Sequence, residues 1–429
     1  MAERPYRLPL PVEALQEQFA ILHTGVQAAA LGSLEVGGAH EVDRETSADT
    51  IFAIDKHVDP VIEAFFKKWA QDIPMVVIAE GLDEGGCPGQ LGEGVRLFGC
   101  DRLADAQMVV IVDPIDGTRG LMYDKRPAWM LCGVARNARW PARLSDIDFA
   151  FMGELPTSKQ GLVDCWWAGR GRGAHGERRN LYTGASRPLR PAPSSAANFD
   201  KGFAMLSKFF PFGKPLLCEV EHKLLDSMGL VSGAAVVFDD QYICTGGQLA
   251  ELIHGRDRFN ADLRCWAYST LGEPQGLCVH PYDLASVLVA EEAGVIVTDP
   301  QGRPLDGPLD CTTGLDWVGY ANAQLRELTE PKLQAALAAC TGPAAALRLD
   351  CGSSDQEALG HAVRAFRKLD ASGSGLVKRE MLVDAMAHLF TATRPCFTSE
   401  DLGTILQAAG IPDDPNIDYM KLLHWIFGK

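Results

Sequence analysis

The 429-residue chain is short of positive charge, with 40 lysines and arginines against 56 aspartates and glutamates and a formal net charge of −16. An acidic surface repels nucleic-acid backbones and anionic headgroups, so neither is an expected partner. The sequence also has no continuous apolar run near the roughly 18 residues that a membrane span needs. Its first fifteen residues hold Arg4, Arg7 and three prolines and no apolar core, so no secretory signal is expected. Twelve cysteines run from Cys87 to Cys396 without one C-x-x-C pair. Scattered in apolar settings, they argue against a zinc site or a disulfide framework and for a reduced, cytoplasmic protein. An acidic chain of this kind is suited to concentrating divalent cations.

What is present is ordinary globular material, 47% hydrophobic and 22% charged. The length exceeds what one core supports, so two or more domains are expected. Helical spacing of apolar residues over Val12 to Ala30 and Val58 to Trp69 predicts two amphipathic helices. Met75 to Ala79 and Met108 to Val112 read as buried strands, and each runs directly into acid, at Glu80 and Asp113. A carboxylate at the end of a buried strand is costly unless a partner, often a metal, compensates it. Strand-like runs continue from Pro127 to Gly173, and Tyr182 to Asp200 reads as a loop or excursion. Helices and strands then alternate from Leu224 to Thr298, which predicts a layered α/β domain.

The segment Val112-Asp-Pro-Ile-Asp-Gly-Thr118 sets two carboxylates three residues apart around a proline. The Pro114 turn aims Asp113 and Asp116 to one side and frees the Ile115 carbonyl, giving hard oxygen ligands of the kind magnesium takes. Gly117 and Thr118 follow at a helix start, a natural seat for a phosphate anion.

This segment resembles the D-P-[ILV]-D-G-T signature of the inositol monophosphatase and fructose-bisphosphatase superfamily, the lithium-sensitive phosphatases. Ile78-Ala-Glu80 resembles the family's strand-end glutamate motif, and His280-Pro-Tyr-Asp283-Leu-Ala resembles its W-D-x-A motif. Ser47 to Asp55 resembles the segment that ends in an aspartate before a helix. The resemblance covers Val12 to Leu333. It implies an α-β-α-β-α sugar-phosphatase fold, a homodimer, and hydrolysis of a small phosphorylated metabolite such as an inositol, sugar or nucleotide phosphate, with two or three magnesium ions. By the same resemblance Glu80, Asp113 and the Ile115 carbonyl hold one ion, and Asp113, Asp116 and Asp283 a second. Asp49 is either a third-ion ligand or a helix cap. Asp55 and Thr118 orient and deprotonate the attacking water, Gly117 and Thr118 bind the phosphate, and Glu251 either takes the place of a sugar-hydroxyl acceptor or is a solvated surface glutamate. The chain departs from the pattern at Gly81, where a second glutamate is usual, and at Tyr282, which replaces the tryptophan. Gly246 to Gly255 is aligned with a strand, which leaves Arg256 to Gly276 as an insertion.

These readings divide the chain into a phosphatase domain at 10–340, a linker at 341–356 and a helical tail at 357–429. His361 to Asp370, then Ala-Ser-Gly-Ser-Gly375-Leu-Val, resembles an EF-hand, and Leu402 to Phe427 resembles its partner. Lys378 and Met381 occupy ligand positions of the first loop, and Gly410, Pro415 and Lys421 occupy positions one, six and twelve of the second. Calcium binding is therefore not expected. Phe366, Leu369, Leu382, Ile405, Leu406, Leu422 and Ile426 are the expected core. Such a tail would grip a partner helix, and the rival reading of the whole chain is a non-catalytic cytoskeletal or ciliary scaffold that keeps the phosphatase shape.

Overall fold

The computed structural model describes residues 6–36, 38–45, 50–82, 91–231, 236–341, 366–367, 369–370, 372–383, 399–412 and 414–426. Asp49 and nearly all of the 341–356 linker lie outside these residues. The chain forms two compact units. The first comprises Met1–Pro211, Asp226–Cys265 and Gln275–Pro331, and the second comprises Phe212–Leu225, Trp266–Pro274 and Lys332–Lys429. Two short segments from inside 10–340 thus group with the tail.

Helix α1 (Val12–Val36) carries Leu15, Phe19, Leu22, Val26 and Ala30 on one stripe, all at most 2% exposed. By length and hydropathy it has the makings of a membrane span, which a search for unbroken apolar runs passes over because Glu13, Glu17 and Gln27 interrupt it. Its apolar stripe is covered by α2 and by the large sheet described below. A hairpin of β1 (Val42–Glu45) and β2 (Thr50–Phe52) leads into α2 (Ala53–Trp69). There Asp55 Oδ2 accepts the Phe52 N–H at 2.8 Å, a first-turn acid that satisfies one of the helix's spare donors.

Strands β3 (Met75–Ala79), β4 (Val95–Phe98) and β5 (Met108–Asp116) follow. A one-turn helix α3 (Thr118–Leu121) precedes β6 (Ala128–Arg136), β7 (Ile147–Leu155), β8 (Leu162–Gly169), β9 (Ala174–Asn180) and β10 (Ser186–Leu189). They form one eight-stranded sheet in the order β10-β9-β8-β7-β6-β5-β3-β4, antiparallel except for the parallel pair β3 and β5. The excursion expected over Tyr182 to Asp200 contains the edge strand β10. The fully buried β5 and the nearly buried β6 are apolar at almost every position because both faces of the sheet are covered.

The second sheet comprises β11 (Gly202–Leu206), β12 (Val237–Phe238), β13 (Asp257–Asp262), β14 (Ile296–Thr298) and β15 (Trp317–Tyr320) in the order β12-β11-β13-β15-β14. Helices α5 (Thr245–Ile253) and α7 (Val287–Glu292) belong to the first unit, whereas α4 (Lys214–Ser227) falls almost wholly in the second and α6 (Arg264–Leu271) and α8 (Ala323–Cys340) run from the first into the second. Helix α5 meets β6 on one side and β13 on the other, and α7 meets β7, β8 and β14. The first unit therefore layers α1 and α2, the eight-stranded sheet, α5 and α7, and the five-stranded sheet. This is the α/β layering that the sequence pattern predicts.

Two expectations are corrected here. The segment aligned with a strand, Gly246 to Gly255, is mostly helix α5. The supposed insertion Arg256 to Gly276 supplies β13, which is bonded to β11 and β15 in the middle of its sheet. Nearly every residue of α5 is buried. A helix covered on two sides has no polar face, so its period is hidden and a short apolar run is easily read as a strand.

In the second unit β16 (Leu376–Lys378) pairs antiparallel with β17 (Asn416–Asp418), beside α9 (Ser399–Ala408) and α10 (Tyr419–Ile426). Phe366, Val377, Leu382, Leu402, Leu406, Ile417 and Leu422 form its core, with Leu369 and Ile405 half-buried against it. The Ile426 side chain lies outside the described set. Asp370 closes its loop by accepting from Ser374 N at 3.0 Å, Gly375 N at 2.6 Å and Ser372 Oγ at 2.8 Å.

Phe19 is fully buried, edge-on to Trp69 at 5.5 Å and stacked on Phe149 at 5.8 Å. Phe19→Ala is expected to cost about 3–5 kcal/mol, measured by urea unfolding of the full chain followed by tryptophan fluorescence. A loss of less than about 1 kcal/mol would mean that α1 is not seated on the sheet.

Candidate metal centre

The pairing of β3 with β5 places the first two acids. The strands are parallel and Ala79 stands opposite Val112, so the next residues, Glu80 and Asp113, emerge side by side at the same end of the sheet. In a regular strand, side chains three residues apart point to opposite faces. Between β5 and β6 the register shifts, with Asp113 opposite Leu131 and Asp116 opposite Trp129, so β5 has one residue more than its partner. This bulge at Pro114 turns Asp113 and Asp116 to the same side.

Asp283 arrives from the turn before α7, where its Oδ2 accepts the His280 N–H at 2.6 Å. Carboxylate oxygens of Asp113, Asp116 and Asp283 lie within 4.8 Å of one another. Glu80, Ile115, Gly117 and Thr118 line the same cavity, whose volume is about 60 Å³. Tyr282 stacks on His280 and its hydroxyl stands 3.4 Å from Glu80 Oε1, so the aromatic at this position anchors the glutamate. Asp55 sits behind the wall, with Thr118 Oγ1 3.2 Å from its Oδ1 and 2.8 Å from the Ile115 carbonyl. Gly117 takes φ +97°, a left-handed conformation that favours glycine, at the head of α3.

Burial and mutual repulsion govern this cluster. Burial first, then the charges of Asp116, Asp283 and Glu80, push the Asp113 carboxyl well above the usual range. Burial and Asp116 do the same to Asp283. Burial also raises Asp116, to about 6, while donors from the start of α5 pull it back. Each carboxylate is held by backbone N–H groups, of Ile115 for Asp113, of Gly246 and Thr245 for Asp116, and of His280 for Asp283. The nearby Arg264 is committed elsewhere: its guanidinium forks onto Asp262 and lies over Phe209 at 5.3 Å and Phe210 at 5.5 Å. Two buried acids and a half-buried third, with no lysine or arginine bonded to them among the described residues and all offering hard oxygens, fit a divalent cation of the magnesium type.

The structure gathers Glu80, Asp113, Ile115, Asp116, Gly117, Thr118 and Asp283, with Asp55 behind Thr118. Glu251 is not among them. It lies on α5, pairs with Arg256 at 2.8 Å and faces a separate cavity of about 430 Å³. The slip follows from reading α5 as a strand. Sequence reasoning passes over Phe209, Phe210, Cys244, Thr245 and Arg264, which also line the acid cavity. One signal was legible, the glycine pair after Thr245. A Cβ at Gly246 would come within 2.6 Å of Leu131 and 3.1 Å of Asp116 Oδ2, so only glycine lets the helix start approach the acid. Gly81, the departure beside Glu80, has φ +74°, a conformation that a glutamate adopts only under strain.

No family model matches the chain, and no curated protein matches it significantly in sequence. Solved structures do match. The extragenic suppressor protein suhB of Bartonella henselae is 16% identical, with a TM-score of 0.50 over 75% of this chain and 98% of its own. The fructose-1,6-bisphosphatase of Leishmania major is 13% identical, with a TM-score of 0.50 over 75% of this chain and 92% of its own. With the acids at the ends of β3 and β5 and ahead of α7, and the two sheets layered with helices as described, the chain has the inositol monophosphatase and fructose-bisphosphatase fold.

Proposed function

We propose that the chain is a magnesium-dependent phosphatase that hydrolyses a small phosphate monoester. The observation that carries the reading is the convergence of Asp113, Asp116 and Asp283 within 4.8 Å in a buried cavity that also takes in Glu80 and the Ile115 residue. Asp113, Asp116, Asp283, Glu80 and the Ile115 carbonyl would hold the metal. Bound there, divalent ions neutralise phosphate charge and lower the pKa of a coordinated water.

The remaining work falls to the chain's own side chains. Thr118 Oγ1 takes a proton from the attacking water and passes its own to Asp55 Oδ1, the carboxylate already within 3.2 Å. The head of α3, at Gly117 and Thr118, positions the phosphate. Phe209, Phe210, Ile243 and Leu277 give the cavity lining apolar surface, while Arg119 and Arg264 give it positive charge. A leaving group that combines an apolar face with an anionic substituent suits that lining.

Two outcomes are expected. Without metal the acids repel one another, so in EDTA at pH 8 Asp113→Asn should be more stable than wild type by about 1–3 kcal/mol in urea unfolding. It should also lose the stabilisation that magnesium confers on the wild type. Equal stabilities in EDTA would show that the acids are not in electrostatic conflict.

In a phosphate-release assay over a panel of small esters, magnesium-dependent turnover should be abolished by Asp113→Asn. Thr118→Ala should lower kcat by about 10²- to 10⁴-fold, and Thr118→Ser should restore most of it. No release from any ester in magnesium or manganese would sink the enzymatic reading.

A further inference from the structure

The cavity wall includes a thiol that none of the sequence motifs assigns. Cys244 is 4% exposed and immediately precedes α5. Its Sγ accepts the Gly247 N–H at 3.3 Å and lies 3.0 Å from the Asp116 carbonyl and 3.3 Å from Asp116 Oδ2. Gly246 N–H donates to the same Oδ2 at 2.5 Å, whereas among the described residues Oδ1 has only the Thr245 N–H, at 3.3 Å. The two oxygens of one metal-facing carboxylate are therefore unequally engaged.

That inequality has a consequence for binding. The terminal torsion of an aspartate is broad and nearly two-fold, so an unrestrained carboxylate must be ordered when a cation arrives. Donors fixed on one oxygen set the orientation beforehand, as groups behind metal ligands commonly do. The approach of the thiol is itself prepared at the head of α3. A Cβ at Gly117 would stand 3.0 Å from Cys244 Sγ, closer than ordinary contact, so the glycine makes room for the sulfur as well as for the turn.

We propose that Cys244 is a positioning residue for the metal centre: its S–H, shared between the Asp116 carbonyl and Oδ2, acts with the Gly246 N–H to hold Oδ2 and leaves Oδ1 as the oxygen turned to the cation. The proposal rests on the metal-dependent reading above and concerns how the site is ordered, separately from turnover. A sulfur suits the place because it reaches the carbonyl and the carboxylate of Asp116 together while still accepting from Gly247.

The test is calorimetric titration of magnesium into the full chain, comparing wild type with Cys244→Ala, Cys244→Val and Cys244→Ser, without substrate. Valine fills the sulfur's space without a donor and keeps the comparison open should the alanine variant fold poorly, and urea midpoints verify that each variant is folded. Wild type should bind magnesium. Loss of the donor in the alanine and valine variants should weaken binding about tenfold, and serine, which restores a donor, should return it to near the wild-type value. Alanine and valine variants that bind as tightly as wild type, or a serine variant as weak as alanine, would overturn the proposal. A wild-type chain that takes up no magnesium would overturn the phosphatase reading and this proposal with it, a result that no difference among the variants could imitate.

Discussion

Three carboxylates held within reach of one another, two of them out of water, are the constraint around which the first unit is arranged. Each would be more stable apart from the others, so the fold must force their approach. The parallel pairing of β3 and β5 does so for Glu80 and Asp113, the bulge in β5 for Asp116, and the turn before α7 for Asp283. The bulge and the turn lie within short motifs, but the strand pairing does not, and it relies on strands that are buried along their length, which is why β5 is apolar until the acids begin.

Backbone N–H groups hold the acids in place of positive side chains. A lysine or arginine bonded to Asp113 would relieve the repulsion and also remove the reason for a cation to bind. The structure instead places the Arg264 charge on Asp262, at the end of β13, and flanks it with Phe209 and Phe210. The guanidinium thus contributes to the cavity's field from one step away, favouring the ionised forms of Asp116 and Asp283 alike. The smaller upward displacement of Asp116 follows from the donors of Gly246, Cys244 and Thr245 at the start of α5, whose positive end also favours the ionised form.

How much of this the sequence disclosed follows from where each constraint resides. The acids of β3 and β5 were legible because a buried strand that ends in a carboxylate is costly anywhere in a chain, and Pro114 with Gly117 marks the turn between them. Asp283 was legible through its aromatic neighbour Tyr282. Helix α5 was not, because a helix enclosed by two sheets shows no polar face, and that misreading carried Glu251 into the site and β13 into an insertion. The ion pair of Arg264 with Asp262 joins residues two apart, yet its meaning depends on β11 lying beside β13, a pairing across some fifty residues that no local pattern records. Gly81 was read as a lost ligand, and its left-handed backbone gives the loss a conformational reason.

The same division separates what the fold determines from what it leaves open. Strands β3 and β5 are parallel, and so are β11 and β13. The residues just beyond the carboxyl ends of both pairs, Glu80 and Asp113 from one and Phe209, Phe210 and Arg264 from the other, line a single cavity. Ligands of α/β folds gather at such ends. The acid side of the cavity depends on strand register, a bulge and a helix terminus, so changing it means changing the architecture. The aromatic and guanidinium side hangs on short connections after β11 and β13, where side chains can be exchanged while both sheets stay intact. The acid side is therefore fixed by the architecture, whereas the aromatic and guanidinium side is fixed by individual side chains.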